Sequence, residues 1–214
     1  MTSPMRTPPH EPPALHDRAM QDLSFIRRTM EGASAFTDVP GWGLVAVGAT
    51  AIAAAAIASV ASNAGAWLSV WLSEALIAAA IGAGMMWRKM RRRPRQPGAA
   101  IFSVPARKFL FGFWPAVLAG AVLTFALIDL RAVWREYSTV PRLLPGLWLL
   151  LYGVGITTAG AFSVRAVPLM GAGLIVMGTL ALFVPRVSGD YMLALGFGVW
   201  QIGFGIWIAR RHGG

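Results

Sequence analysis

The sequence predicts an all-α polytopic membrane protein, a six-transmembrane-helix bundle with an N-terminal amphipathic cytoplasmic helix. Three observations carry that prediction. Of 214 residues, 56% are hydrophobic and 13% charged, whereas a soluble domain is about a quarter charged; mean hydropathy is +0.59. Six stretches approach the roughly 20 apolar residues that a helix needs to cross a hydrocarbon core. They are too long and too uniformly apolar for barrel strands, which alternate over about 10 residues, and lipid tolerates only internally closed backbone hydrogen bonding. Polar faces are missing from almost every stretch, which argues against a soluble bundle.

The elements follow in chain order. Residues 1–12 are rich in Pro and charge, the composition of a disordered tail. Over 13–36, Leu15, Ala19, Leu23, Ile26, Met30 and Ala33 recur every three or four positions, while Asp17, Arg18, Gln21, Arg28 and Glu31 face away. Pro13 suits a first helical turn and Gly32 an exit. Such a helix can lie on the cytoplasmic leaflet, pack against a basic loop, or pair with a second copy or another membrane protein. "FTDVPGWG" then leads into the membrane, with Asp38 and Pro40 placed to start the first span.

The expected spans are 41–61, 66–87, 109–130, 145–164, 167–184 and 191–209, together a membrane domain over 41–209 interrupted by a basic cytoplasmic loop at 88–108. Three connections are short enough to force antiparallel hairpins. No leader with a short apolar core and small-residue cleavage site precedes them, so the first span is expected to serve as an uncleaved anchor. There is no cysteine, hence no disulfide, thiolate metal site or cysteine nucleophile.

Charge sets the expected orientation. The net charge is +10, and 15 of the 19 Lys and Arg fall on one side: the N-terminal arm, the 88–108 loop, Arg165, Arg210 and Arg211. Arg131, Arg135, Arg142 and Arg186 fall on the other. Both termini are therefore expected in the cytoplasm. In "WRKMRRRPRQPG", Arg88, Lys89, Arg91, Arg92, Arg93 and Arg95 could neutralise any phosphate. Their place beside a span favours anionic lipid headgroups, at about 1 kcal/mol per basic residue, over nucleic acid, for which no binding-domain context exists. Trp42, Trp67, Trp87, Trp134 and Trp207 lie at or just beyond span ends and read as interfacial anchors.

The frame Gly-x-Gly-x-x-x-x-Gly occurs in "GWGLVAVG" from 41, "GVGITTAG" from 153, "GAGLIVMG" from 171 and "GFGVWQIG" from 196. A dinucleotide fingerprint needs its third glycine two residues earlier, after a strand, and these copies sit in apolar spans. At about 100° per residue, positions seven apart share a stripe and the middle glycine opens the opposite face. Gly153 with Gly160, Gly171 with Gly178, and Gly196 with Gly203 thus form one stripe each, and Gly155, Gly173 and Gly198 the other. Small residues let helices approach closely in lipid, where no hydrophobic force drives them together.

The stretch "MGAGLIVMGTLALFVPRVSGDYMLALGFGVWQIGFGIWIA", 170–209, resembles one hairpin unit of the HdeD-type acid-resistance membrane proteins, through Gly171, Gly178, Pro185, Gly196 and Gly203. The resemblance implies a Gly-rich helix, a turn and a second Gly-rich helix, in a six-span protein. With "LHDRAMQDLSFIRRTMEGASAFTDVPGWG", "GAFSVRAVP" and "GIWIARRHGG", the whole chain is similar to a group of uncharacterised six-span membrane proteins of soil bacteria.

One ionisable residue, Glu74 in "WLSEALIAAA", lies near mid-span. A charge there costs at least about 2.5 kcal/mol unless paired or protonated. It reads as a proton-carrying carboxylate or as a hydrogen-bonded structural acid, with Ser73 and mid-span Gln201 as potential partners. Asp129, Arg131, Arg135 and Glu136 read as a wet outer rim, and Thr157 and Thr158 as bonding their own helix carbonyls. His10, His16 and His212 lie outside the spans without metal-ligand spacing. No Ser-His pair or paired intramembrane carboxylates occur. The expectation is therefore a non-catalytic scaffold or stress-related accessory protein without cofactor or metal. The alternatives are a small proton- or ion-coupled transporter or channel using Glu74 and Gln201, and a subunit of a larger membrane complex docked through 13–36.

Overall fold

The computed structural model describes residues 18–26, 39–91, 104–134, 139–184 and 189–212, apart from the side chains of 130–141 and 212. The chain divides into two units, Met1–Ser34 and Ala35–Gly214. In the first, residues 18–26 form a short helix, α1, inside the amphipathic stretch. The tail 1–12 and the rest of 13–36, apart from α1, lie outside the described residues, as do Arg92, Arg93 and Arg95.

The second unit is built from α2 (Gly41–Ala58), α3 (Ala64–Arg91), α4 (Val104–Trp134), α5 (Thr139–Gly160) and α6 (Ala166–Phe183). A last helix follows in three parts: α7 (Gly189–Leu193), a π-helical stretch (Ala194–Trp200) and α8 (Gln201–His212). Among the described residues there is no β-strand. Six helices are long and apolar enough to cross a membrane, in the order and near the positions that hydropathy predicts.

The boundaries differ in instructive ways. The helices α3 and α4 run past their apolar stretches, so Arg88, Lys89, Arg91, Arg107 and Lys108 lie on helix and the loop expected at 88–108 is shorter. A helix satisfies its own backbone in water as in lipid, so hydropathy marks the membrane and not the helix end. The helix α5 begins six residues before Pro145 and α4 is continuous through Pro115; each proline costs one bond to the carbonyl four residues back without ending the helix. At the other end α5 stops at Gly160, where the N–H groups of Phe162 and Ser163 turn back to Ala159 and Gly160.

Successive helices alternate in direction. One end of the bundle gathers Arg88, Lys89, Arg91, Arg107, Lys108, Arg165, Arg210 and Arg211, with no acid among the described residues there. Lys89 Nζ donates to the Val39 carbonyl at 3.2 Å, fastening the end of α3 to the entry of α2. The opposite end carries Asp129, Arg142 and Asp190.

Two antiparallel pairs share one contact geometry. Between α2 and the last helix, a Cβ built on Gly41 would lie 2.6 Å from the Gly205 carbonyl oxygen, and one on Gly48 2.8 Å from that of Gly198. Between α5 and α6, a Cβ on Gly171 would lie 2.7 Å from the Gly153 carbonyl oxygen, and one on Gly178 2.8 Å from that of Gly146. Both pairs thus close through two glycine crossings seven residues apart. The middle glycines of three frames face elsewhere: Gly43 toward Met85 of α3, Gly155 toward Ala116 of α4, and Gly173 toward the Trp200 indole. Gly160 abuts Pro168 across the α5–α6 turn.

The fourth frame departs from the expected stripe. Gly196 faces Leu149 and Gly198 faces Ile52, but a Cβ on Gly203 would meet nothing within 4 Å. Gly203 is therefore not a packing position. The π-helical stretch supplies the reason, because its i→i+5 bonding takes more residues per turn and covers most of the interval from Gly196, so Gly203 does not return to the face of Gly196.

Peripheral positions fall to α3 and α4. The side chains of Phe111, Trp114, Leu118, Val122 and Phe125 on α4, and of Leu72 and Leu76 on α3, are exposed and meet lipid if the bundle is embedded. Gly82 and Gly84 of α3 likewise have open space where a side chain would be.

Candidate functional site

Three polar assemblies lie within the bundle, and each begins from a residue that an apolar environment forces to find a partner. The first joins four helices at the end opposite the basic one. Trp67 and Trp71, four residues apart on one face of α3, both donate their indole N–H to Asp190 Oδ1, at 2.7 and 3.3 Å. Trp67 stacks on Trp148 of α5, with ring centroids 5.7 Å apart and planes 6° from parallel. Trp148 in turn donates to Thr124 Oγ1 of α4 at 2.8 Å, and Thr124 donates to the Gly120 carbonyl at 2.7 Å. Asp190 at the start of α7 is thereby tied to α3, α5 and α4 by one connected set of contacts.

This alters the reading of tryptophan. Trp42, Trp87 and Trp207 are exposed, and Trp134 has no described side chain. Trp67 is only 6% exposed, an inter-helix tie and not an interfacial anchor. Its position at a span end looks the same in the sequence either way; the missing signal was the acceptor, 123 residues distant, just outside the apolar run that begins at Tyr191.

The second assembly contains Glu74, 7% exposed. Its partner is neither Ser73, which is exposed, nor Gln201. Thr50 Oγ1 of α2 lies 2.8 Å from Glu74 Oε1, and also 2.9 Å from the Val47 carbonyl and 3.3 Å from that of Ala46. One hydroxyl hydrogen faces three acceptors. If Glu74 carries a proton, it donates to Thr50 and Thr50 donates to Val47, which uses both hydrogens and leaves no charge in the apolar interior. If Glu74 is ionised, Thr50 turns its hydrogen to the carboxylate.

The third assembly holds Gln201, 1% exposed, at the junction of the π-helical stretch and α8. Its side chain hydrogen-bonds the hydroxyl of Tyr152 on α5, and its Oε1 has no partner. Tyr152 stands edge-on to Phe113 of α4 and Phe197 of the last helix, at centroid distances of 5.5 and 5.3 Å. Glu74 and Gln201, paired by the sequence reading, thus belong to separate assemblies with different partners. Tyr152 was detectable in principle, being a tyrosine inside a span whose hydroxyl must bond something; Thr50 carries no such signal.

The threonines late in α5 and α6 serve their own helices. Thr157 and Thr158 donate to Gly153 and Val154, and Thr179 to Ile175, each at 2.8 Å. Trp200 donates its indole N–H to the Met170 carbonyl at 3.0 Å, reaching across α6 where Gly173 leaves room. Arg91 lies over the Trp87 ring at 4.7 Å and Lys108 over Phe162 at 5.6 Å, both at the basic end. No group of three or more His, Cys, Asp or Glu able to hold a metal occurs among the described residues. No protein-family model, curated protein or solved structure matches this chain.

Proposed function

We propose that the chain is a non-catalytic integral membrane protein of a bacterial inner membrane, with a scaffold or stress-related accessory role. The observation that carries this reading is the tie at Asp190, where a carboxylate, three indoles and a threonine are spent on one another to fasten four helices. Polar groups poised for turnover would instead converge on a space for substrate. Close glycine crossings in two helix pairs favour the same rigid assembly. The basic end lies in the cytoplasm under this proposal, as loop charge asymmetry directs, and Arg88, Lys89 and Arg91 there meet anionic lipid headgroups, as do Arg92, Arg93 and Arg95.

The test is purification in mild detergent, identification of the proteins that accompany the chain, and reconstitution of the pure chain in liposomes. Stable co-purifying partners with no ion flux are the expected result. Partner capture that survives removal of residues 1–36 would place docking on the bundle and not on the amphipathic arm.

A second reading, a small proton-coupled transporter or channel, is favoured by Glu74, whose hydrogen bond to Thr50 gives it two proton arrangements. Proton flux in liposomes that disappears in Glu74→Gln would establish that reading and overturn the first.

A further inference from the structure

We propose that Gln201 and Tyr152 hold a single water molecule inside the bundle, at the junction of its two glycine-closed helix pairs. The starting point is a correspondence between those pairs. On the last helix, Gly198 and Gly205 cross α2 at Gly48 and Gly41; on α5, Gly146 and Gly153 cross α6 at Gly178 and Gly171. Between the two glycines the helices also agree: Trp200 stands two residues after Gly198, as Trp148 stands two after Gly146. The next residue is Gln201 in one helix and Leu149 in the other, and both are buried, at 1% and 0% exposure.

Leucine and glutamine have similar volumes, so packing alone would be served by leucine twice. The amide at 201 is a departure that burial penalises unless its hydrogen-bonding capacity is filled. A primary amide offers one acceptor oxygen and two donor hydrogens. Tyr152 supplies one partner, and Oε1 has none. With Oε1 unpartnered, the bond to Tyr152 comes from Nε2 to the phenol oxygen, which leaves the phenol hydrogen available. Turning the amide over would satisfy Oε1 and strand both amide hydrogens instead, so one tyrosine does not complete the set in either orientation.

A water molecule fills two of the open roles, donating to Oε1 and accepting from the phenol, which are complementary. The ligand is neutral, since the buried residues of this core, Leu149, Met170, Leu174 and Leu193, offer no countercharge. Buried waters characteristically occupy positions with such otherwise unfilled groups. The adjoining backbone suits the role: the π-helical stretch Ala194–Trp200 ends directly before Gln201, and such stretches concentrate at functional positions in helices. Gly196 keeps the face toward Leu149 free of a side chain.

The test is X-ray radiolytic labelling, in which hydroxyl radicals made from bound water oxidise adjacent rings, read by mass spectrometry on the full chain in detergent. Tyr191, 76% exposed, is the reference for bulk solvent. Tyr152 is expected to label despite its burial, and Gln201→Leu to abolish that labelling while leaving Tyr191 unchanged. If Gln201→Leu fails to fold, Tyr152→Phe serves, with loss of labelling at Phe197, edge-on to that ring, as the readout. An unlabelled Tyr152 in the native chain, or labelling undiminished in a folded Gln201→Leu, would overturn the proposal.

Discussion

Replacing Gly171 by alanine adds one methyl group where the structure leaves no room. The new Cβ would stand 2.7 Å from the Gly153 carbonyl oxygen and 2.6 Å from the Thr157 backbone nitrogen, against the 3.4 Å at which ordinary contact begins. The Thr157 hydroxyl oxygen is closer still, and the other two atoms are backbone that cannot turn aside, so α5 and α6 must separate locally by about 0.8 Å, the difference between 3.4 and 2.6 Å. A radial gap of about 0.5–1 Å forfeits a quarter to a half of the dispersion attraction between facing atoms. Overpacking of this kind costs about 1–3 kcal/mol, partly offset by the roughly 0.5–1 kcal/mol that alanine contributes over glycine within a helix. Gly203→Ala receives the same helical benefit with nothing within 4 Å to oppose it. Gly171→Ala is therefore expected to destabilise by about 0.5–2 kcal/mol, and Gly203→Ala to stabilise by up to about 1 kcal/mol. Titration of the folded chain from mild detergent into dodecyl sulfate, followed by tryptophan fluorescence, measures the two against the native protein. Equal effects of the two substitutions, or a Gly171→Ala chain as stable as the native one, would refute the close-approach account of the α5–α6 pair.

Other substitutions probe the polar assemblies. Asp190→Ala leaves two buried indole N–H groups without an acceptor and is expected to cost about 2–4 kcal/mol, with Asp190→Asn retaining part of that through its carbonyl oxygen; a loss of near-ultraviolet dichroism from Trp67 and Trp71 accompanies it. Thr50→Val and Glu74→Leu, alone and together, form a double-mutant cycle whose coupling is expected near 0.6 kcal/mol, and no more than about 2, the range for hydrogen bonds between membrane helices; zero coupling would mean the pair is not formed in the membrane. A reporter fused after Gly214 is expected to report from the cytoplasm, and activity on the far side would invert the proposed topology.

What the sequence disclosed, and what it withheld, follows from the range of each physical signal. Hydropathy is summed over about 20 residues and survives local error, so all six spans were legible even where Pro145 and Arg91 misled about helix ends. The glycine frames were legible as faces because an ideal helix has a fixed period; Gly203 escaped that logic because the π-helical stretch changes the period within the frame itself. The polar partnerships were not legible, since each is a coincidence in space. Asp190 meets Trp67 across 123 residues and Thr50 meets Glu74 across 24, and no spacing rule links such positions. Nearness to mid-span singled out Glu74 and Gln201 correctly as buried polar residues, yet joined them to each other when each has a nearer companion.

The two glycine-closed pairs also differ in when they can form as the chain is made. Gly153 and Gly171 are 18 residues apart, so α5 and α6 can close soon after both have entered the membrane. Gly41 and Gly205 are 164 residues apart, and α2, the earliest of the six spans to be inserted, has no counterpart for Gly41 and Gly48 until the last has followed. During that interval its smooth face stays open to lipid, to insertion machinery or to another nascent copy, the exposure that makes distant pairings slow and vulnerable. The contact of α2 thus waits on the last of these six helices. A chain truncated before Gly198 would hold five spans with the first still unclasped.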